Sequence, residues 1–262
     1  MPTTRELVEA GRLAEAVAQL TQEVRARPGD ASLRVALFEL LSLQGDFERA
    51  LKHLEVVGAQ GVEEDLAVQQ YRHLLAGEKA RAAVFAGQAR PQLGEPQPSY
   101  TEHYLRGLAS GDPADFQLGD NERPVLSGTL NGVEFEDFRD ADDRIGPFLE
   151  LFLADEYHWI PWEMVRSVTI EQPSKLRHYI WTPISVLLQS GPRLGGFTPT
   201  LYPGSAQAPS DALKLGRATE WDESRGYAAG LGQRVFFAGD AQPAMLEIRE
   251  LEFADAGSTE DS

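Results

Sequence analysis

Apolar positions in the first part of the chain recur at helical spacing, and they do so twice. Leu13, Ala16, Val17, Leu20 and Val24 mark one stripe, and Phe47, Ala50, Leu51, Leu54 and Val57 mark a second. Gly11-Arg12-Leu13-Ala14-Glu15-Ala16 returns thirty-four positions later as Gly45-Asp46-Phe47-Glu48-Arg49-Ala50, the period of a tetratricopeptide helix pair. Small Ala16 and Ala50 let a second helix backbone approach, while Leu13/Phe47 and Leu20/Leu54 fill the groove beside it. Between the stripes, 32–44 carries Leu33, Val35, Ala36, Leu37, Phe38, Leu40 and Leu41 nearly all round, which predicts a central helix covered on several sides. Pro28-Gly29-Asp30 stops one helix and caps the next. After a break at Gly58-Ala59-Gln60-Gly61, a weaker third pair is predicted at 63–75 and 78–86, with Leu66, Tyr71, Leu74, Leu75, Val84 and Phe85 continuing the stack. Thr3 and Glu6 form a capping box ahead of a short first helix at 6–10.

Pro91, Gly94, Pro96 and Pro98 mark a boundary, and Ser99 with Glu102 repeats the capping-box pattern, so 99–109 reads as a linking helix and 112–124 as polar and irregular. From Val125 the period becomes twofold. Asn131-Gly132 between alternating apolar positions is the strongest short hairpin signal. Further strands are predicted at 148–153, 157–161, 167–171, 184–188, 198–202, 234–238 and 245–253. The expected architecture is α+β in two parts. Tetratricopeptide-like helices fill 1–90, a linker with its helix fills 91–124, a mostly β domain, barrel or curled sheet, fills 125–254, and 255–262 is a disordered tail.

With 262 residues, 42% apolar and 25% charged, the chain can bury a core. No cysteine is present, which removes disulfides, thiolate metal sites and cysteine nucleophiles. No stretch is apolar enough for a signal peptide or a membrane span, so a cytoplasmic location is expected. The net charge of −17 is lopsided: residues 1–90 hold 11 Lys/Arg against 13 Asp/Glu, the remainder 13 against 28. Such an acidic surface repels phosphate backbones and favours basic or neutral protein partners over nucleic acid.

Candidate chemistry is sparse. Asp140-Ala141-Asp142-Asp143-Arg144 is the densest carboxylate cluster, yet Gly146 falls one place late for an EF-hand and no closing glutamate follows, so it reads as an acidic turn held by Arg139 and Arg144, without metal. His158 and His178 lack partners at ligand spacing and read as structural. No Gly-x-Ser-x-Gly elbow or phosphate loop occurs, and the glycine-rich run from Gly191 to Gly196 reads as a flexible connection. No catalytic residue, metal or cofactor is assigned. All four tryptophans lie in three motifs, Tyr157-His158-Trp159-Ile160-Pro161-Trp162, Tyr179-Ile180-Trp181 and Leu215-Gly216-Arg217-Ala218-Thr219-Glu220-Trp221, and are assigned mostly to the core.

Tyr157-x-Trp159-x-Pro161 and Leu215-Gly216-Arg217-x-Thr219-Glu220-Trp221, with Leu37-Phe38-x-Leu40-Leu41, Asp142-x-Arg144-x-Gly146-Pro147-x-x-Glu150, Gly232-Gln233-Arg234 and the two helical repeats, resemble the ImpE family, also called TagJ, in order and over nearly the whole chain. The resemblance implies a helical first half on a β-rich second half and a non-enzymatic accessory role in bacterial type VI secretion. The implied partner is the N-terminal helix of the small, TssB-like subunit of the contractile sheath, with recruitment of the ClpV ATPase to that sheath. It also marks Asp142, Arg144, Trp159, Pro161, Arg217, Glu220, Trp221 and Arg234 as motif residues of structural character.

Two functional readings stand side by side. In the first, the helical stack takes an amphipathic helix of another protein in a groove, with Gln70, Tyr71 and Arg72 as candidate lining. In the second, the β half is a ligand-binding or enzymatic domain built around Arg217, Glu220, Trp221, Arg234 and Trp159. A pocket with convergent polar groups would favour it, and a buried Arg217–Glu220 pair on Trp221 would favour scaffolding.

Overall fold

The computed structural model describes residues 2–59 and 62–254, with backbone alone at 62–65. Of the break predicted at 58–61, Gly58 ends a helix and Ala59 caps it, while Gln60 and Gly61, like the predicted tail, lie outside the described residues. Five helices open the chain: α1 (Thr4–Glu9), α2 (Leu13–Ala26), α3 (Ala31–Leu43), α4 (Phe47–Gly58) and α5 (Val62–Phe85). The Thr3–Glu6 capping box is formed, and Asp30 and Asp46 cap α3 and α4 by accepting from the Leu33 and Arg49 amides. The predicted stripe of α2 is its buried face. Gly11 and Gly45 end the preceding helices in the left-handed conformation, φ +72 and +73, which glycine adopts without a Cβ penalty.

The third pair is not a pair. α5 runs unbroken through Gly77, which a helix interior tolerates at modest cost. The glycine has a packing role, because a Cβ there would come within 2.6 Å of the Phe152 ring. Leu66, expected in the stack, is exposed.

After β1 (Gln92–Leu93) come α6 (Thr101–Ser110) and α7 (Pro113–Glu122). Ser99 and Glu102 do not form the expected box: Ser99 donates to Glu122, and Glu102 pairs with Arg90. The stretch predicted to be irregular is mostly α7, begun by Asp112 as cap and Pro113 in the first turn, where a missing amide proton costs nothing.

The β half comprises β2 (Ser127–Leu130), β3 (Val133–Glu136), β4 (Phe138–Asp140), β5 (Phe148–Leu153), β6 (Glu156–Pro161), β7 (Val165–Ile170), β8 (Trp181–Leu188) and β9 (Arg193–Pro199), then α8 (Asp211–Lys214), β10 (Thr219–Asp222), β11 (Ala229–Gly232), β12 (Phe236–Ala238) and β13 (Glu250–Phe253). Nine strands form one sheet in the order β1-β6-β5-β9-β8-β7-β13-β2-β3, and β10-β11 and β12-β4 are separate two-stranded ribbons. The large sheet is open, with β1 and β3 as its ends, so the expected barrel does not form. The Asn131-Gly132 hairpin is as predicted, both residues having positive φ. The supposed flexible connection from Gly191 is largely strand β9, paired along β8. The strand predicted at 198–202 contributes only its first two residues to β9, and 245–253 is strand only in β13.

Alternation along β5 explains the layering. Phe148, Glu150 and Phe152 face the helices, while Leu149 and Leu151 enter a second core with Phe138, Trp162, Val168 and Phe236. The first core is continuous from α2 and α3 through α5 to Trp159 and Trp181. Among the described residues, no helix is long and apolar enough to cross a membrane.

Candidate functional site

α3 is apolar nearly all round, and its sides are used differently. Leu37, Phe38, Leu40 and Leu41 are buried, with Phe38 stacked 6.1 Å from Trp181, while Leu33 and Ala36 remain half-buried. That half-covered side is the floor of a groove of about 860 Å3. α1 forms one wall, Leu20 and Leu40 extend the floor, and segment 173–179 with Leu215 forms the far side. Arg5, Glu9, Glu23, Lys175 and Arg217 stand among the lining residues. An apolar floor with charged rims is the geometry that receives the apolar face of an amphipathic helix.

The α8 segment holds the α1 wall from the β half. Arg217 donates from Nη1 to the Glu9 carbonyl at 2.8 Å and from Nη2 to the Val8 carbonyl at 2.7 Å, satisfying the open end of α1. Asp211 Oδ2 accepts from the Leu13 amide at 2.8 Å, capping α2 from a residue far along the chain. The two contacts grip both sides of the Gly11 turn. Arg217 is thus tied to α1, not to Glu220, and the Arg217–Glu220 pair does not exist. Glu220 is exposed on β10, and Trp221 is 40% exposed, its ring 5.5 Å from Tyr202.

The remaining motif residues build a buried ion network where α5 meets the sheet. Glu150, inside the apolar run of β5, accepts from Arg81 Nε at 2.6 Å and Nη2 at 3.1 Å and from the Tyr157 hydroxyl. Arg234 donates to Asp140 Oδ2 at 3.0 and 2.8 Å, to Thr198 and to the Pro199 carbonyl, and its Nη1 lies 3.3 Å from Glu150. Asp142 accepts from Arg144 and from the Gly230 amide. Burial opposes the charge of Glu150, but Arg81 and Arg234 hold its carboxyl below the usual range. Burial also lifts Asp140, to about 6, with Arg234 working against the rise. Arg139 and Arg144 brace the acidic turn as expected, through Asp143 and Asp142. Trp159 is fully buried, stacked 4.8 Å from Phe148, with its indole N–H on the Tyr157 hydroxyl, and Pro161 closes β6 opposite Phe148.

Arg217, Glu220, Trp221, Arg234 and Trp159 are therefore scattered over a helix end, an exposed ribbon and two buried positions, not gathered in a pocket. Of the proposed partner-contacting residues, Tyr71 is turned inward, its ring 5.0 Å from Phe38 and 6.5 Å from Trp181. Gln70 is exposed, and Arg72 lies 3.8 Å from Glu55. None of the three lines the groove. Sequence reasoning missed Arg81 and Asp211. Arg81 stands one turn after Glu78 and reads as a surface i,i+3 pair, and nothing local distinguishes it from one.

A repeat array with an open apolar groove, joined to an open sheet by a buried ion network, defines a two-part helical-repeat α+β class. The tetratricopeptide repeat model matches residues 7–88, and the model described as ImpE protein matches residues 132–252. The chain is 34% identical over 255 residues to the type VI secretion system accessory component TagJ of Pseudomonas aeruginosa, covering 95% of this chain and 90% of that one. The crystal structure of protein VPA1032 from Vibrio parahaemolyticus superposes with a TM-score of 0.86 at 28% identity, covering 96% and 97% of the two chains. The chain belongs to the ImpE/TagJ family.

Proposed function

We propose that this protein is a non-enzymatic accessory component of a type VI secretion system, acting in the cytoplasm. It binds the N-terminal helix of the small, TssB-like sheath subunit in the groove floored by α3, and assists recruitment of the ClpV ATPase to the sheath. The observation that carries the reading is the half-buried Leu33–Ala36 floor beneath charged rims, in a chain 34% identical to a type VI accessory component. The groove takes over the role first assigned to Gln70, Tyr71 and Arg72, because Tyr71 belongs to the chain's own core.

Fluorescence anisotropy with a labelled peptide of the sheath subunit's N-terminal helix tests this. Ala36→Arg fills the floor at a half-exposed position and is expected to weaken binding about tenfold or more, while Gln70→Ala leaves it unchanged. Absence of binding at roughly 100 μM, or equal binding by the Ala36→Arg variant, defeats the assignment.

A further inference from the structure

A second cleft, of about 390 Å3 and sharing no lining residue with the groove, lies at the junction between the helices and the β half. Phe47 of α4, Phe85 of α5 and Tyr202 supply rings, Leu201 and Ile180 supply aliphatic wall, and the 203–207 turn forms one lip. Two guanidinium groups line the same space. Arg81 and Arg144 carry their central carbons 5.6 and 5.3 Å from the centroid of the one Phe85 ring.

The hydrogen bonding of both arginines is asymmetric. Arg81 uses Nε and Nη2 on Glu150 and the Leu201 carbonyl, and Arg144 uses Nε and Nη2 on Asp142. Among the described residues, neither Nη1 meets a hydrogen-bond acceptor. Arg81 is only 4% exposed, and the nearest carboxylate to its Nη1 is Glu78 Oε2 at 3.7 Å, beyond hydrogen-bond range. Neither Nη1 is among the buried side-chain atoms left without a partner, so each donor edge still reaches solvent and can exchange water for a ligand oxygen.

We propose that the cleft binds a carboxylate borne on an apolar or aromatic group, gripped by the Nη1 edges of Arg81 and Arg144 and packed against Phe85. Planar guanidinium edges match carboxylate oxygens, and the ring-lined wall takes the apolar part. Glu78 occupies the competing position, so the incoming carboxylate displaces its long-range contact with Arg81. This cleft is separate from the helix groove and does not depend on the reading given for it.

Titration calorimetry of the full chain tests the site with 3-phenylpropionate, its neutral amide, and a phenylalanine-terminated tetrapeptide with free or amidated C-terminus. The free carboxylates are expected to bind about tenfold or more tighter than the amides, the worth of a charge-assisted hydrogen bond. Ala82→Met, exposed on α5 at the cleft and outside the ion network, is expected to abolish binding without changing the thermal midpoint. Tighter binding of the free tetrapeptide assigns a protein C-terminus as the source, and tighter binding of phenylpropionate assigns a small organic acid. Equal affinity for acid and amide, undiminished binding to the Ala82→Met variant, or no heat with either acid overturns the proposal.

Discussion

Glu78, partly buried, and Glu150, fully buried, both lie beside Arg81, yet their surroundings push them in opposite directions. Glu150 is held below the usual range by two arginines, whereas burial lifts Glu78, against the pull of Arg81 and the Trp181 indole N–H that donates to its Oε1 at 3.0 Å. The sign for stability follows. A carboxyl raised on folding binds its proton more tightly in the native state, so its stabilising share is complete below the unfolded carboxyl range and is lost as pH rises through the folded value. Glu78→Gln keeps an acceptor for Trp181 and removes the charge. It is expected to raise the urea midpoint more at about pH 8 than at about pH 4, because the raised value favours the protonated native side chain in acid. An equal shift at both pH values would assign the effect to packing instead. Arg234 carries the opposite expectation. Its charge is fully enclosed with Asp140 and Glu150, so Arg234→Met strands two acidic groups and costs about 3–5 kcal/mol in denaturant unfolding.

The sequence repeat makes Gly11 and Gly45 equivalent, and the fold makes them different. Both have left-handed φ, so an alanine at either pays about 1–2 kcal/mol in backbone strain. At Gly11 an added Cβ meets only Arg217 Nη1 at 3.7 Å, an ordinary contact. At Gly45 it would lie 2.7 Å from the Ala206 Cβ, on the turn of the β half that covers this helix end. Gly45→Ala is therefore expected to destabilise more than Gly11→Ala, by about 1–3 kcal/mol of overpacking, read as the difference in urea midpoints. Equal losses would mean the turn yields freely. The comparison also marks where sequence was informative at this scale. The cap at Asp30, the α2 stripe and the Asn131-Gly132 turn are local chemistry and were readable. α7 was hidden because polar residues fill it, although Asp112-Pro113 is a start signal in its own right. β9 was hidden because Gly195 and Gly196 look like punctuation, while in the fold Gly196 allows close approach to the Phe152 carbonyl.

Across the whole molecule, what the sequence could not show is partnership over distance. Arg81 with Glu150, Asp211 with the Leu13 amide and Arg217 with the end of α1 each join the helical half to the β half, and no periodicity encodes them. The groove was foreseeable in kind, since α3 is too apolar to have a solvated face, but its far wall comes from 173–179 and could not be placed. These same contacts bear on whether 1–90 and 125–254 are separate domains. Phe38 and Tyr71 pack on Trp181, Phe85 packs on Trp159, and Gly77 admits Phe152, so one core crosses the boundary. Removing the sheet would expose these rings, each worth about 1.5–3 kcal/mol of burial, on a helical stack too small to lose several of them. We therefore expect a single cooperative transition, with tryptophan fluorescence from Trp159 and Trp181 and far-ultraviolet circular dichroism of the helices giving the same urea midpoint. Residues 1–90 expressed alone are expected to show no cooperative unfolding. Helical signal surviving past the fluorescence midpoint would instead make the repeat array an independent unit, with the ion network a docking contact between two folded bodies.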